Sequence, residues 1–161
     1  MEIFKLEPYK SVGPICFTDT VDDIIKKLGE PKEISRTGEF LIYENFLIEI
    51  SLINQNVYSV SLCNYDQCKI CYEGINLNVL DYKKVVKELF HKNHTIYGNF
   101  SSFPEYVDKN AGVIFVTHET DIDNTLELEC LGIWSLEAMP DFNDKNLCQD
   151  DVLITSEDQI I

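Results

Sequence analysis

Two stretches with the same helical pattern, 61 residues apart, constrain the fold of this chain more than any other feature. In the first stretch, apolar residues recur at the spacing of one helix face, i, i+3, i+4 and i+7: Val21, Ile24, Ile25 and Leu28. Thr20 is a suitable N-cap, and Gly29 followed by Pro31 is a typical helix end. The sequence therefore predicts an amphipathic helix from residue 20 to residue 28.

The second stretch repeats this pattern with different residues. Its apolar positions have the same spacing, after Asp81 as the N-cap: Tyr82, Val85, Val86 and Leu89. A glycine stands seven residues before each cap, Gly13 in the first case and Gly74 in the second. Four apolar side chains, each contributing about 1.5–3 kcal/mol when buried, need a sheet to cover them. We expect both helix faces to belong to one core.

Strand-like segments follow each helix. They are residues 40–44, 46–53 and 57–64 after the first helix, then 95–97, 113–119 and 125–134 after the second, with turns at 54–56 and 121–124. This order predicts one α+β domain, residues 1–161, formed by tandem duplication of a helix followed by an antiparallel β-meander. The repeats span approximately residues 10–72 and 73–138 and share one core. Residues 139–161 are expected to form a C-terminal appendage with a short strand at 152–155.

Four short stretches carry a resemblance to known proteins: VGPICF (12–17), TVDDIIKKLGEP (20–31), YEGINL (72–77) and DYKKVVKEL (81–89). Over roughly residues 7–135, the chain resembles small acidic bacterial proteins with helix-plus-meander repeats of the V-G-P-I-x-F and L-G-x-P type. The duplicated architecture is similar to that of the beta-lactamase inhibitor protein. Some small acidic proteins of this kind are immunity proteins, which neutralise a toxin delivered by neighbouring cells. The resemblance therefore implies binding and inhibition.

The charge of the chain is strongly negative and unevenly distributed. Net charge is −15, of which residues 1–104 contribute −3 and residues 105–161 contribute −12. Such a field repels nucleic acid and anionic membranes and attracts a basic protein, although solubility alone is an equally good explanation. No apolar run approaches the roughly 18 residues of a membrane span, and the first residues lack the apolar segment of a signal peptide. A cytoplasmic location is expected.

The stretch CNYDQCKIC, residues 63–71, holds three of the six cysteines. A zinc or iron–sulfur site needs four ligands, and the other cysteines and the histidines stand in no familiar spacing relative to these three. Cysteine is also a small apolar residue that strands accept. We therefore interpret the stretch as a strand, a turn and a second strand, and we expect no metal and no cofactor.

Other candidate chemical sites are weaker. His91 and His94 lie at the end of the second predicted helix, and His118 and Glu119 are neighbours on a strand, where they point to opposite faces. Residues 121–126 depart from the calcium-binding EF-hand pattern. No G-x-S-x-G, P-loop or H-E-x-x-H motif occurs, which favours a protein that is not an enzyme. A small enzyme or ligand-binding domain and a self-associating structural module are the alternatives.

The predicted partner-binding surface lies in the second repeat. One predicted hairpin carries five acidic residues: Glu119, Asp121, Asp123, Glu127 and Glu129. The last two alternate with Leu126, Leu128 and Cys130, which predicts that they share the exposed face. A loop-like stretch, residues 99–106, adds three aromatic residues: Phe100, Phe103 and Tyr106.

Carboxylates beside aromatic side chains are typical of an interface for a basic protein, although a solvated sheet face explains the same acids equally well. The expected function is a cytosolic protein-binding inhibitor. In particular, we expect an immunity protein that blocks the active site of a basic, nuclease-like toxin through an acidic surface.

Overall fold

The computed structural model describes residues 2–62, 68–101, 103–119, 126–142 and 150–161. These residues form a mixed α+β fold in which β-sheet predominates, with two helices, Val21–Leu28 (α1) and Tyr82–His91 (α2). The predicted α+β class is confirmed at this level. No helix in the described ranges is both long and apolar enough to cross a membrane.

The ends of α1 agree with the local sequence. The Thr20 hydroxyl accepts a hydrogen bond from the Asp23 backbone N–H at 3.4 Å, and the Asp23 carboxylate accepts one from the Thr20 N–H at 3.1 Å. These two bonds form a capping box, which satisfies backbone donors that the first turn leaves unpaired. At the other end, Gly29 has a φ of +82° and donates its N–H to the Ile25 carbonyl. A positive φ is accessible to glycine without steric cost.

The buried face of α1 is narrower than predicted. Ile24 is fully buried, and Val21 and Leu28 are half-buried against the core. The prediction that Ile25 belongs to the core is wrong, because this side chain is half-buried and is not packed against the core cluster. It lies about 100° round the helix from Ile24, which places it at the margin of the buried face.

The predicted face of α2 is confirmed in full, since all four of its apolar side chains are buried: Tyr82, Val85, Val86 and Leu89. The Asp81 carboxylate caps this helix by accepting a hydrogen bond from the Lys84 N–H at 3.4 Å. The helix continues to His91, two residues beyond the end of the apolar pattern.

The described residues contain fourteen strands. In chain order they are Glu2–Glu7 (β1), Ser11–Val12 (β2), Ile15–Cys16 (β3), Glu33–Ile34 (β4), Phe40–Ile42 (β5), Phe46–Ile50 (β6), Val57–Leu62 (β7), Cys68–Tyr72 (β8), Ile75–Asn76 (β9), Ile96–Asn99 (β10), Glu105–Asp108 (β11), Val113–Glu119 (β12), Leu126–Trp134 (β13) and Asp151–Leu153 (β14).

Nine of these strands form one antiparallel sheet, in the order β14-β10-β11-β12-β13-β7-β6-β5-β4. Each helix is followed along the chain by four of them, β4–β7 after α1 and β10–β13 after α2. The last strand of each set pairs with the other near the middle of the sheet, with Leu62 opposite Leu131 and Ser59 opposite Trp134. The two sets therefore meet edge to edge.

The other five strands form a smaller sheet, in the order β3-β2-β1-β8-β9. β1 and β8 are parallel, with Ile3 opposite Lys69, whereas the other neighbours are antiparallel. Residues of both helices and both sheets belong to one continuous buried cluster, for example Ile24, Val86, Ile70 and Ile48. The smaller sheet was not predicted, apart from the extended segment around Cys71.

Several predicted boundaries differ from the observed ones. β6 ends at Ile50 and β7 at Leu62, earlier than predicted, whereas β12 has the predicted bounds. Residues 99–106 were predicted as a loop, but β11 begins at Glu105, directly after Pro104. Its pairing with β10 and β12 is a tertiary effect that its local sequence does not indicate. The turn predicted at 121–124 lies outside the described residues.

The C-terminal segment is part of the core, which corrects the prediction of an appendage. β14 pairs with β10 at the edge of the nine-stranded sheet, and Ile154 and Ile160 are buried in the core cluster. The backbone carbonyl of Ile161 accepts hydrogen bonds from the hydroxyls of Tyr82 at 2.7 Å and Tyr106 at 3.2 Å. This segment therefore closes over α2 and β11.

Candidate interaction surface

The predicted acidic hairpin is described only at its base. Glu119 ends β12, whereas Asp121 and Asp123 lie outside the described residues. Glu127 is half-buried and Glu129 is exposed. The structure therefore places two of the five predicted acids at the surface of β13.

The predicted alternation along β13 is interrupted by a β-bulge. Thr117 pairs with Leu128 and Val116 pairs with Cys130, so Glu129 has no opposite residue on β12. Beyond this bulge Leu131 is buried, whereas Cys130 is only half-buried. Cys130 therefore does not continue the buried series that includes Leu128, because the inserted residue shifts the pleat by one position.

The three predicted aromatic residues have different environments. Phe103 is 44% exposed and Phe100 is 38% exposed, and the Phe100 ring packs edge-on against Tyr106 with centroids 5.9 Å apart. Tyr106 is fully buried, so its predicted contact with a partner is wrong. It lies on the core face of β11, where its hydroxyl accepts a hydrogen bond from the Ile161 N–H at 2.8 Å.

The aromatic loop and the acidic hairpin base lie at the same end of the nine-stranded sheet. The Thr117 hydroxyl on β12 donates a hydrogen bond to the carbonyl of Pro104 at 2.6 Å, and this bond is buried. This bond places Pro104, which follows Phe103, beside the end of β12; a shared interface of the loop and the hairpin stays a prediction.

The nine-stranded sheet has one face that does not join the core. Apolar side chains on this face are half-buried and are not packed against the core cluster: Phe40, Ile42, Leu47, Ile114, Val116 and Trp134. They alternate along the strands with buried residues such as Leu41, Ile48 and Ile133. We call this second surface the free face. At its β10 side the Phe142 ring stacks on Tyr97, with centroids 4.0 Å apart.

The strand register places a continuous row of residues across the free face. Directly opposite partners run in the order Leu153, Tyr97, Val107, Ile114, Gly132, Ser61, Leu47 and Ile42. We call this series the apolar row. At the middle of the apolar row, the Ile114 side chain covers Gly132, which has no side chain of its own. A Cβ built on Gly132 would lie 2.5 Å from Ile114 Cγ2.

Carboxylates flank the apolar row on both sides. On one side, Asp151, Asn99 and Glu105 form the adjacent row, in which the Asn99 amide donates a hydrogen bond to Asp151 at 3.0 Å. Burial, and to a smaller extent the nearby Asp151, raises the pKa of the Glu105 carboxyl. On the other side, Glu49 lies opposite Ser59, whose hydroxyl donates a hydrogen bond to it at 2.9 Å.

The nine-stranded sheet carries acidic side chains on its strands, and basic residues stand beside the strands, with Lys32 and Arg36 around β4 and Lys109 after β11. Its strands contain no lysine or arginine, but they contain eight acids: Glu33, Glu49, Glu105, Asp108, Glu119, Glu127, Glu129 and Asp151. The lysines that belong to helices and strands lie in the other layer: Lys5, Lys26, Lys27, Lys69, Lys83, Lys84 and Lys87. The free face therefore combines apolar side chains with carboxylates such as Glu49, Glu105 and Asp151, whereas Asp108 is buried on the opposite face of the sheet.

A buried, hydrogen-bonded pair of titratable side chains lies away from the free face, and sequence reasoning missed it. His94 Nδ1, in the connection between α2 and β10, lies 2.5 Å from Asp108 Oδ2 on β11. Burial raises the pKa of the Asp108 carboxyl, and the hydrogen bond with His94 opposes that effect.

The cysteine stretch shows no metal-binding geometry in its described part. Cys68 is buried and Cys71 is half-buried, both on β8, and Cys63 lies outside the described residues. Burial raises the pKa of the Cys68 thiol, which disfavours the thiolate that a metal requires. No group of three metal-binding side chains occurs in the described ranges. The absence of a metal and of a cofactor stays a prediction.

The predicted histidine sites are likewise not assembled. His91 Nε2 lies 3.1 Å from Glu157, whereas His94 turns towards Asp108, so the two histidines do not converge. His118 lies opposite Glu127 on the neighbouring strand.

No family model, no curated protein and no solved structure matches this chain.

Proposed function

We propose that this protein is a protein-binding inhibitor whose partner is a basic protein, and in particular an immunity protein that neutralises a nuclease-like toxin. The observation that carries the proposal is the free face, where an apolar row is flanked by carboxylates and no strand supplies a lysine or arginine. A half-exposed apolar surface with polar and charged groups at its rim is typical of a specific interface.

The proposed mechanism is occlusion. The free face covers a basic site on the partner and excludes its anionic substrate, since a site that holds phosphate must itself be basic. A complex of ordinary size buries about 1,600 Å² in total, with aromatic anchors supplying affinity and charges setting the association rate. Trp134 and Phe40 are the candidate anchors, because both lie on the free face beside Glu49 and Ser59.

The carboxylates on the free face favour a cationic partner for a second reason. Burial, with a smaller contribution from the nearby Asp151, raises the pKa of the Glu105 carboxyl. A partner's lysine or arginine beside this carboxyl would favour its ionised form. Binding would then be coupled to ionisation, so affinity for a basic partner should rise with pH through the titration of Glu105.

The evolutionary part of the proposal is a tandem duplication. A glycine-containing hairpin, a helix and four strands occur in this order twice, as β2–β7 with α1 and β8–β13 with α2. The resemblance to acidic helix-plus-meander proteins of bacteria agrees with this order, and a cytoplasmic location is part of the same proposal. An enzyme is the less favoured alternative, because the sequence contains no G-x-S-x-G, P-loop or H-E-x-x-H motif.

The test is association with the purified product of the gene adjacent to its own. We expect a complex that inhibits this product and whose association rate falls as salt is added. Replacement of Glu49, Glu127 and Glu129 by lysine should slow association by about tenfold or more, because electrostatic steering contributes factors of this size.

The matched control replaces three exposed acids outside the nine-stranded sheet by lysine: Glu2, Glu30 and Glu88. This variant has the same change in net charge, and we expect it to associate at nearly the wild-type rate. Equal slowing by both variants would mean that total charge, rather than the free face, governs binding. If the variant with lysine at positions 49, 127 and 129 associates at the wild-type rate, the interface lies elsewhere.

A further inference from the structure

Among the described residues next to strands of the nine-stranded sheet, the three most exposed apolar side chains lie together at one end of it. Leu52 and Ile53, in the turn between β6 and β7, are 64% and 89% exposed, and Leu136, just after β13, is 72% exposed. We call these three residues the apolar tip. They stand at the opposite end of the sheet from Phe100 and Phe103, because β6 ends and β7 begins there.

The apolar tip is held in place by a network of hydrogen bonds. The Glu137 carboxylate, next to Leu136, accepts hydrogen bonds from the Ser51 hydroxyl at 2.9 Å and the Asn54 amide at 2.6 Å. The turn itself is closed by the Ser51 N–H, which donates to the Asn56 carbonyl at 2.8 Å. These bonds join the segment after β13 to the turn between β6 and β7. An exposed apolar group that is held rigidly loses little conformational entropy on binding.

A shallow depression of about 510 Å³ adjoins the apolar tip. It is lined by Glu39, Glu49, Ile50, Ser51, Leu52, Ile53, Tyr58 and Glu137. Three of these residues are acids and none is basic. Glu49 also belongs to the free face, so the depression is continuous with the proposed interface.

We propose that the apolar tip is a docking site for a basic protein segment, in which apolar side chains of the partner contact Leu52 and Ile53 and a lysine or arginine enters the depression between Glu49 and Glu137. This inference rests on the proposed function and extends it to a second contact. Charge complementarity decides the occupant: a second copy of the chain would bring the same carboxylates face to face, which is unfavourable.

The experiment uses the full chain as bait for a random peptide library displayed on phage. We expect enriched peptides to combine lysine or arginine with large apolar residues. Their affinity should fall at least about tenfold for the double variant Leu52→Ser/Ile53→Ser, because a few exposed anchors carry most of the energy of such contacts. The control variant, Ile3→Ser/Leu80→Ser, removes two exposed apolar side chains outside this sheet and should bind like wild type.

Three results would overturn the proposed docking site. The library could yield no enriched peptides, or the enriched peptides could lack basic residues. The peptides could also bind the Leu52→Ser/Ile53→Ser variant as tightly as they bind the wild-type protein. Concentration-dependent dimerisation that this variant abolishes would identify a second copy as the occupant instead. The result is separable from that on the free face, because Leu52→Ser/Ile53→Ser leaves every acid of the free face intact, and charge reversal at Glu127 and Glu129 alone leaves the depression intact. Far-UV circular dichroism of each variant verifies folding.

Discussion

Removal of the Asp108 carboxylate tests how α2 and the nine-stranded sheet are held together. Asp108 is 1% exposed, and its Oδ1 accepts hydrogen bonds from the N–H groups of Asn110 at 2.8 Å and Ala111 at 3.1 Å. Its Oδ2 lies 2.5 Å from His94, which follows α2, and His94 Nε2 lies 3.8 Å from Glu73 in the turn of the β8–β9 hairpin. One side chain thus joins β11, the end of α2 and the smaller sheet.

The substitution Asp108→Ala leaves a buried imidazole and two backbone donors without their acceptor. Breaking a buried pair by removing one partner costs about 3–5 kcal/mol of unfolding free energy. For a domain of this size, that loss corresponds to a decrease in Tm of about 6–20 °C. Asp108→Asn retains one carbonyl oxygen as an acceptor, so it should cost less, about 1–3 kcal/mol.

Urea unfolding followed by circular dichroism measures both variants. The control is Asp81→Ala, which removes the exposed N-cap of α2 and should cost about 1 kcal/mol. A double-mutant cycle with His94→Gln should give a coupling energy within the range of about 0.5–3 kcal/mol that contacting residues show. The reasoning is refuted if Asp108→Ala costs no more than Asp81→Ala, or if the two substitutions at 94 and 108 are additive.

Two further predictions concern the helix faces and the buried tyrosines. Ile24→Asp should unfold the chain, because it places a charge at a fully buried position. Ile25→Asp, at a half-buried position, should retain a cooperative thermal transition. Equal melting curves for the two variants would contradict the assigned buried face of α1. Burial, with smaller effects of Tyr106 and Asp81, raises the pKa of Tyr82 to about 12. A raised pKa of the folded state contributes stability that is present below the unfolded value of 10.0 and is lost as pH rises through about 12. Tyr82→Phe should therefore lose about 1 kcal/mol at neutral pH, from the bond to Ile161, and should show a smaller loss of stability between pH 10 and 12 than wild type. Chemical unfolding across this pH range measures both effects, and identical alkaline profiles would argue against a role for the Tyr82 hydroxyl.

The helices could be predicted from sequence because their determinants are local. A cap, a stripe of four apolar residues and a terminating glycine all fall within ten residues in α1, and the structure places each of them as expected apart from Ile25. Short strands lack such information. β2, β3 and β9 have two residues each, too few for an alternating pattern, and they exist because neighbouring strands pair with them.

The candidate site was only partly accessible to the same reasoning. Composition indicated an acidic surface, and sequence proximity indicated that Phe100 and Phe103 lie near the β12–β13 hairpin, which the Thr117–Pro104 bond supports. The burial of Tyr106 could not be read from its neighbours, because it depends on Ile161, 55 residues later. The β-bulge at Glu129 was also invisible, since an inserted residue is defined by the partner strand.

The distribution of charge illustrates why register matters for function. Along the chain, the first 104 residues carry a net charge of −3 and are nearly balanced, so they gave no reason to expect an anionic surface. In the fold, most lysines of this part lie on helices and on or beside the smaller sheet, whereas Lys32 and Arg36 flank β4 and the acids Glu33 and Glu49 lie on strands of the nine-stranded sheet. Both halves of the chain therefore contribute acids to a surface without basic residues in its strands. A partner selected by this surface would contact both sets of four strands at once, with Gly132 and Ser61 at their junction beneath it.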